Sequence, residues 1–188
     1  RRQALKLAAP LSFLATMKDT GLPFVAVPGL PSTKASTSIK LPGVQGLRVD
    51  VLAPGNVLGA PVKVPELDWV AQAIPHYDYL LADAERGAML AGGHCIPVQL
   101  PQAARLVWHK LYASTKRQGF PEKAAKDQQQ ALVLGAVLAD TDSDELVDAF
   151  AAAPKSMLSP VKPLLKILAS KAEAHPAMQE VLRQCLGR

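Results

Sequence analysis

Two sets of residues in this chain have side chains and intervals suited to chemistry. The first is a single acid, Asp50, set in Leu47-Arg48-Val49-Asp50-Val51-Leu52. The second is a group of cations around one acid: His109 and Lys110, then Arg117, then Lys126 and Asp127. A carboxylate projecting from a strand can ligate a hard cation such as magnesium, which takes oxygen donors. It can equally be an edge residue paired with Arg48, which strand alternation puts on the same side. In the second set Lys110, Ser114 and Arg117 fall about one and two turns apart on one side of a helix, and His109, Tyr112 and Lys116 form a neighbouring row. Such a ridge either lies solvated, its cations snorkelling, or contacts phosphates, with Lys as a point charge and Arg as a fork. Asp127 has two readings as well: it pairs with Lys123 one turn before it, or it holds Lys110 or Arg117 of the preceding helix. His109 could donate a hydrogen bond, serve as a base, or pack as an ordinary interior residue.

Other patterns carry less. Asp140-Thr141-Asp142-Ser143-Asp144-Glu145 has the look of a calcium loop, but Glu145 stands where the turn needs Gly and Ala151 where a bidentate acid belongs. Helix capping accounts for it, with Asp142 or Ser143 at the N-cap and acids in the first turn. Gly92-Gly93 lacks the rest of a phosphate loop and reads as a turn. Cys95 and Cys185 are far apart, with no Cys-x-x-Cys or Cys/His cluster to hold zinc, and fit a reduced, cytoplasmic setting. No Ser, Cys and His stand in a recognisable nucleophile setting.

Composition and periodicity set the scaffold that holds these residues. Hydrophobic residues make up 49% of the 188 positions and charged ones 20%, enough for one large domain or two small ones with real cores. The net charge of +5 permits an anionic partner, yet no long Lys/Arg run occurs and aromatics are only 5%, so a basic solvated surface is the plainer reading. No apolar run reaches the length of a membrane helix. Residues 2–18 read as a helix kinked at Pro10, with Leu5, Leu7, Ala8, Leu11, Leu14 and Ala15 on its apolar side, and residues 24–27 as a short strand. Residues 28–46, rich in Pro, Gly, Ser and Thr, read as a loop or a loosely paired hairpin. Residues 47–52 and 62–64 read as strands, 67–81 as a helix bent by Pro75, and 88–100 as a turn followed by a strand ending at Pro101. Beyond Pro101 the pattern is helix after helix: residues 102–117, 122–139, 144–152 and 161–186. A soft boundary near residue 100 therefore divides a mixed α/β part, 1–100, from a helical part, 101–188.

Taken in order, Val25-Ala26-Val27-Pro28-Gly29-Leu30, Leu47-Arg48-Val49-Asp50-Val51-Leu52, Tyr77-Asp78-Tyr79-Leu80-Leu81, Val98-Gln99-Leu100-Pro101, His109-Lys110-Leu111 and Lys126-Asp127-Gln128-Gln129-Gln130-Ala131 resemble a family of bacterial proteins. It is the family with a nucleotidyltransferase fold, within the DNA polymerase β-like superfamily, and the resemblance spans most of residues 5–150. It implies an α+β fold: a small mixed sheet carrying acids, backed by helices and followed by a helical C-terminal half. It also implies magnesium-dependent transfer of a nucleoside monophosphate from a nucleoside triphosphate to an acceptor hydroxyl on a small molecule, a protein or RNA. Asp50 matches the third carboxylate of the family's magnesium cradle and would be metal ligand and catalytic base. Lys110, Arg117 and Lys126 would bind phosphate, with His109 and Asp127 supporting them. Lys110 and Ala113 match a Lys-x-x-Ala pattern, whereas Asp127 and Gln130 match half of an Asp-x-x-Asp pattern. Two departures stand out. No Gly-Ser or Gly-Gly turn followed by Asp-x-Asp precedes Asp50, Asp19 standing alone, and the chain opens on Arg rather than Met. Both fit a chain that lacks the family's first strands and is inactive by itself. Two alternatives remain open: an inactive interaction scaffold of toxin–antitoxin type, and an RNA-binding helical module. A homo-oligomer is compatible with either.

Overall fold

The structure is a computed structural model and describes residues 11–29, 31, 33–117 and 119–187. The chain divides into two compact units, residues up to Pro75 and residues from His76 onward. Of the expected kinked first helix, Leu5, Leu7, Ala8 and Pro10 lie outside the described residues. Its later part is helix α1 (Phe13–Lys18), whose N-cap Ser12 accepts a hydrogen bond from the Ala15 N–H through its side chain.

In the first unit β1 (Val25–Ala26), β2 (Ser38–Lys40) and β3 (Arg48–Asp50) form an antiparallel sheet in that order. The stretch expected to be a loop thus contains a central strand. Ile39 of β2 is fully buried, and its backbone pairs on both sides, with Ala26 and with Val49. Flanking Ser and Thr residues disguise it as a turn region. The strand expected over 47–52 is interrupted at Val51. There the Val51 N–H donates to Thr37 O at 3.3 Å and Val51 O accepts from Gln72 N at 2.7 Å, so one residue joins two sheets.

The second sheet holds β4 (Leu52–Pro54), β5 (Pro61–Val64) and, between them, β6 (Trp69–Ile74). β6 runs parallel to β4 and antiparallel to β5, so this small sheet is mixed. It overturns the helix expected over 67–81. Trp69, Val70, Ala73 and Tyr77 fit a helical period, but Ala71 and Ala73 are buried on a period of two, and Pro75 biases Ile74 toward extended backbone. Only one helical turn, α2 (Tyr77–Leu80), survives from that expectation, in the second unit.

The second unit continues with a hairpin, β7 (Glu85–Ala91) and β8 (His94–Leu100), longer than the expected lone strand. Gly92 and Gly93 both have positive φ, +56° and +78°, the pair of left-handed residues that a two-residue hairpin turn needs. Then come α3 (Ala103–Thr115), α4 (Pro121–Thr141), α5 (Ser143–Ala151), α6 (Lys155–Leu158), α7 (Lys162–Lys171) and α8 (Pro176–Leu186). The last two replace one expected helix: α7 ends at Lys171, and Pro176, whose missing N–H costs nothing at a first helical position, begins α8. α6 lies inside the expected connector 154–160. Asp142 is the N-cap of α5, accepting from the Glu145 N–H at 3.2 Å. The core is built on α3: Val107, Trp108 and Leu111 are fully buried, the Trp108 ring meets Phe150 edge-on at 4.9 Å, and its Nε1–H donates to Leu146 O at 2.8 Å. The protein is an α+β fold with a helical C-terminal half.

Candidate functional site

α3 and α4 are joined by a short turn that passes through Gly119 at φ +78°, so the end of α3 lies beside the start of α4. That return brings Lys110 of α3, and Arg117 two residues past its last helical residue, onto the acid of α4. Lys110 Nζ lies 3.5 Å from Asp127 Oδ1 and donates to Gln130 Oε1 at 2.8 Å, and Arg117 Nε donates to Asp127 Oδ2 at 3.1 Å. The Asp127 side chain is 12% exposed, against 26% for Lys110 and 36% for Arg117. Of the two readings of Asp127, the structure selects the one in which it holds the preceding helix. Each carboxylate oxygen takes one cation, and the cluster carries a net single positive charge with both heads facing partly toward water. Ser114, the third member of that row, is buried and turns its hydroxyl onto Leu111 O at 2.7 Å.

The remaining expected residues divide differently. Lys126 is exposed and makes no ion pair among the described residues. His109 is buried, its ring 6.0 Å from that of Tyr112, and so it packs within the core rather than facing the solvent beside Lys110. Asp50 belongs to the first unit. Its Oδ1 accepts from Arg48 Nε at 3.0 Å, and the Arg48 guanidinium also donates to Ser38 Oγ at 2.8 Å. Ser38 was not legible as a partner, because its strand is hidden in the Ser/Thr-rich stretch. Among the described residues no group of three or more His, Cys, Asp or Glu side chains could hold a metal ion. A magnesium cradle needs several carboxylate oxygens at one point, and the donor set around Asp50 does not supply them.

A second cluster adds His76, which sequence reasoning missed, to the expected row of Tyr112 and Lys116. His76, in left-handed backbone at φ +56°, meets the Tyr112 ring edge-on at 4.8 Å, and Lys116 Nζ lies 5.3 Å from the same ring centre. Burial and then the Lys116 charge lower the His76 pKa, and burial raises that of Tyr112. Arg105 lies over the Tyr79 ring at 5.1 Å, and the buried Tyr79 hydroxyl donates to Ala149 O at 2.8 Å. Burial raises the Tyr79 pKa far above its usual range, with Arg105 pulling weakly the other way, so this hydroxyl stays a donor.

With that geometry in place, a family model described as Nucleotidyltransferase matches residues 2–154. The chain belongs to this nucleotidyltransferase family. The matched residues take in both small sheets, the hairpin and α3 to α5, and so contain Asp50 and the whole Lys110–Arg117–Asp127 cluster. α6, α7 and α8 lie beyond the match. No curated protein and no solved structure matches the chain. No helix among the described residues is long and apolar enough to cross a membrane.

Proposed function

We propose that the α3–α4 face grips the phosphates of a nucleoside triphosphate during transfer of its nucleoside monophosphate to an acceptor hydroxyl. The observation that carries this reading is the Lys110–Asp127–Arg117 arrangement: a cation on α3 and another just past its end, both held by one nearly buried acid of α4. Cations fixed before the substrate arrives cost no reorganisation when charge builds on the leaving pyrophosphate. Lys110 supplies a point charge, Arg117 a planar fork with donors beyond the one used on Asp127, and exposed Lys126 a further positive charge on the same helix as Asp127. Asp50 belongs to the first unit and its part in the chemistry is tested separately. The described residues do not by themselves fit a magnesium ion, so no step is assigned to one.

The test is equilibrium binding of nucleoside triphosphates to wild type and Lys110→Gln, with and without magnesium and over a range of salt. A charge-assisted hydrogen bond is worth roughly 1.5–3 kcal/mol, so Lys110→Gln should weaken binding by about tenfold to a hundredfold. Higher salt should weaken wild-type binding as well. Absence of binding by wild type under every condition, or equal binding by both proteins, would overturn the reading. Transfer itself is read by incubating labelled nucleoside triphosphates and cell extract with wild type or Asp50→Asn, and equal labelling would remove Asp50 from the chemistry.

One observation favours a second reading. Asp127 already gives each cation an acid partner, which is also what a purely structural clamp between two helices would show. In that reading the chain is an interaction scaffold without catalysis, and Lys110→Gln lowers thermal stability while nucleotide binding is absent from wild type.

A further inference from the structure

Two turns of α4 work in two directions. Asp127 and Gln130 hold Lys110, whereas Ala125, Gln128 and Leu132 border a groove of about 270 Å³ closed by the α7–α8 corner. Its apolar surface comes from Ala125, Leu132 and Val133 over a floor that the buried Met178 closes, and the exposed Lys171 and His175 supply its positive and polar groups. Lys171 makes no ion pair among the described residues, its contact being the Gln128 amide oxygen at 3.5 Å. The groove contains no acid among its lining residues. The first turn of α8, which begins between His175 and Met178, likewise has no acidic residue and no side-chain cap. The positive end of that helix therefore adds to the ammonium instead of opposing it.

We propose that this groove binds a small amphiphilic carboxylate, an unbranched apolar tail ending in one carboxylate group. The headgroup sits at Lys171 and His175 and the tail on Ala125, Leu132 and Val133, above the buried Met178. The volume lies just below the roughly 300–1,000 Å³ of pockets for drug-sized ligands, which suits a short chain. The flexible Met178 thioether lets the wall adapt to its length. An alcohol of equal length would place no charge against Lys171, and an alkylamine would place a like charge there. The site is separate from the phosphate-gripping face and stands or falls independently of it.

The test is titration of the full chain with sodium butanoate, hexanoate and octanoate, and with hexanol and hexylamine, followed by amide chemical shifts of α4 and α8. Burying each added methylene should tighten binding about threefold to fourfold until the groove is full. Hexanol and hexylamine should bind at least about tenfold more weakly than hexanoate. Lys171→Gln should abolish the preference for acid over alcohol. Ala125→Trp, at an exposed helical position bordering the groove, should block all binding while leaving the helical circular dichroism unchanged. Lys110→Gln should bind hexanoate as wild type does. No saturable binding, equal binding of acid and alcohol by wild type, or wild-type affinity in Ala125→Trp would overturn the proposal.

Discussion

Replacing Asp127 by Asn keeps the side chain's size and removes the charge that Lys110 and Arg117 share. Breaking a fully buried pair costs roughly 3–5 kcal/mol. Both cations here keep partial contact with water, so the loss should be nearer about 1–3 kcal/mol, read as a fall of a few degrees in the unfolding midpoint. An unchanged midpoint would mean that the cluster holds nothing together. The exposed Arg48–Asp50 pair differs: such pairs contribute little, and Asp50→Asn should leave the midpoint within about 0.5 kcal/mol of wild type. His76 gives a pH signature. Its folded-state pKa lies below the ordinary 6.5, so as pH falls through 6.5 the unfolded chain takes up the proton first. The contribution is fully present above pH 6.5 and is lost as the pH drops from there toward the folded value. His76→Asn, a residue that tolerates left-handed backbone, should therefore lose less stability than wild type between pH 7.5 and 5.5 in urea titrations. Equal losses would show that another group sets the slope. At this scale the sequence was readable where partners share one regular element, as Arg48 and Asp50 do on a strand, and it left two readings for Asp127, whose partners Lys110 and Arg117 come from the preceding helix and its end. It was mute on His76 with Tyr112 and on Arg48 with Ser38, pairs brought together only by the fold.

Among the elements, α3, α4 and α5 were legible because their apolar positions recur over two to six turns, long enough for a period to declare itself, whereas the single turn of α6 was not and α7 and α8 were read as one helix. In the first unit the strands expected near 24–27, 47–52 and 62–64 are present as β1, β3 with β4, and β5, whereas β2, three residues in a Ser/Thr-rich stretch, carried no period to read. β6 was misread for the opposite reason: its six residues fit two templates, and pairing with β4 on one side and β5 on the other decided between them. The contact of α4 with α8 offers a sharper test of packing. A Cβ added at Gly135 would come within 2.6 Å of Met178 Cε and 2.9 Å of its Sδ, both at the flexible end of that side chain. Ala gains up to about 1 kcal/mol of helix propensity over Gly, and Met178 must turn aside to admit it. Gly135→Ala should therefore stay within about 1 kcal/mol of wild type. Gly135→Leu adds bulk that Met178 cannot yield to, and should cost about 1–3 kcal/mol or more. Chemical denaturation of both variants checks the pair, and equal effects would mean that α8 can move away from α4 freely.

The two units differ in how they are held together. The second buries Trp108, Leu111, Leu146, Phe150, Met157, Leu165, Leu168, Met178 and Leu182 in one continuous cluster that, among the described residues, has no member from the first. Fully burying each large side chain contributes roughly 1.5–3 kcal/mol. Among the described residues of the first unit the buried apolar side chains are Phe24 and Ile39 with the small Ala53, Ala71 and Ala73. A short chain with so little apolar area to remove from water has a thin margin over its conformational entropy. Residues 76–188 expressed alone should therefore keep a helical circular dichroism spectrum and unfold cooperatively in urea, whereas residues 1–75 alone should show no cooperative transition. If the phosphate grip belongs to α3 and α4 as proposed, the folded 76–188 fragment should also bind a nucleoside triphosphate, and lose that binding in Lys110→Gln. A fragment that fails to unfold cooperatively would show that the second core depends on the first unit. One that folds without binding would overturn the assignment of the grip to α3 and α4.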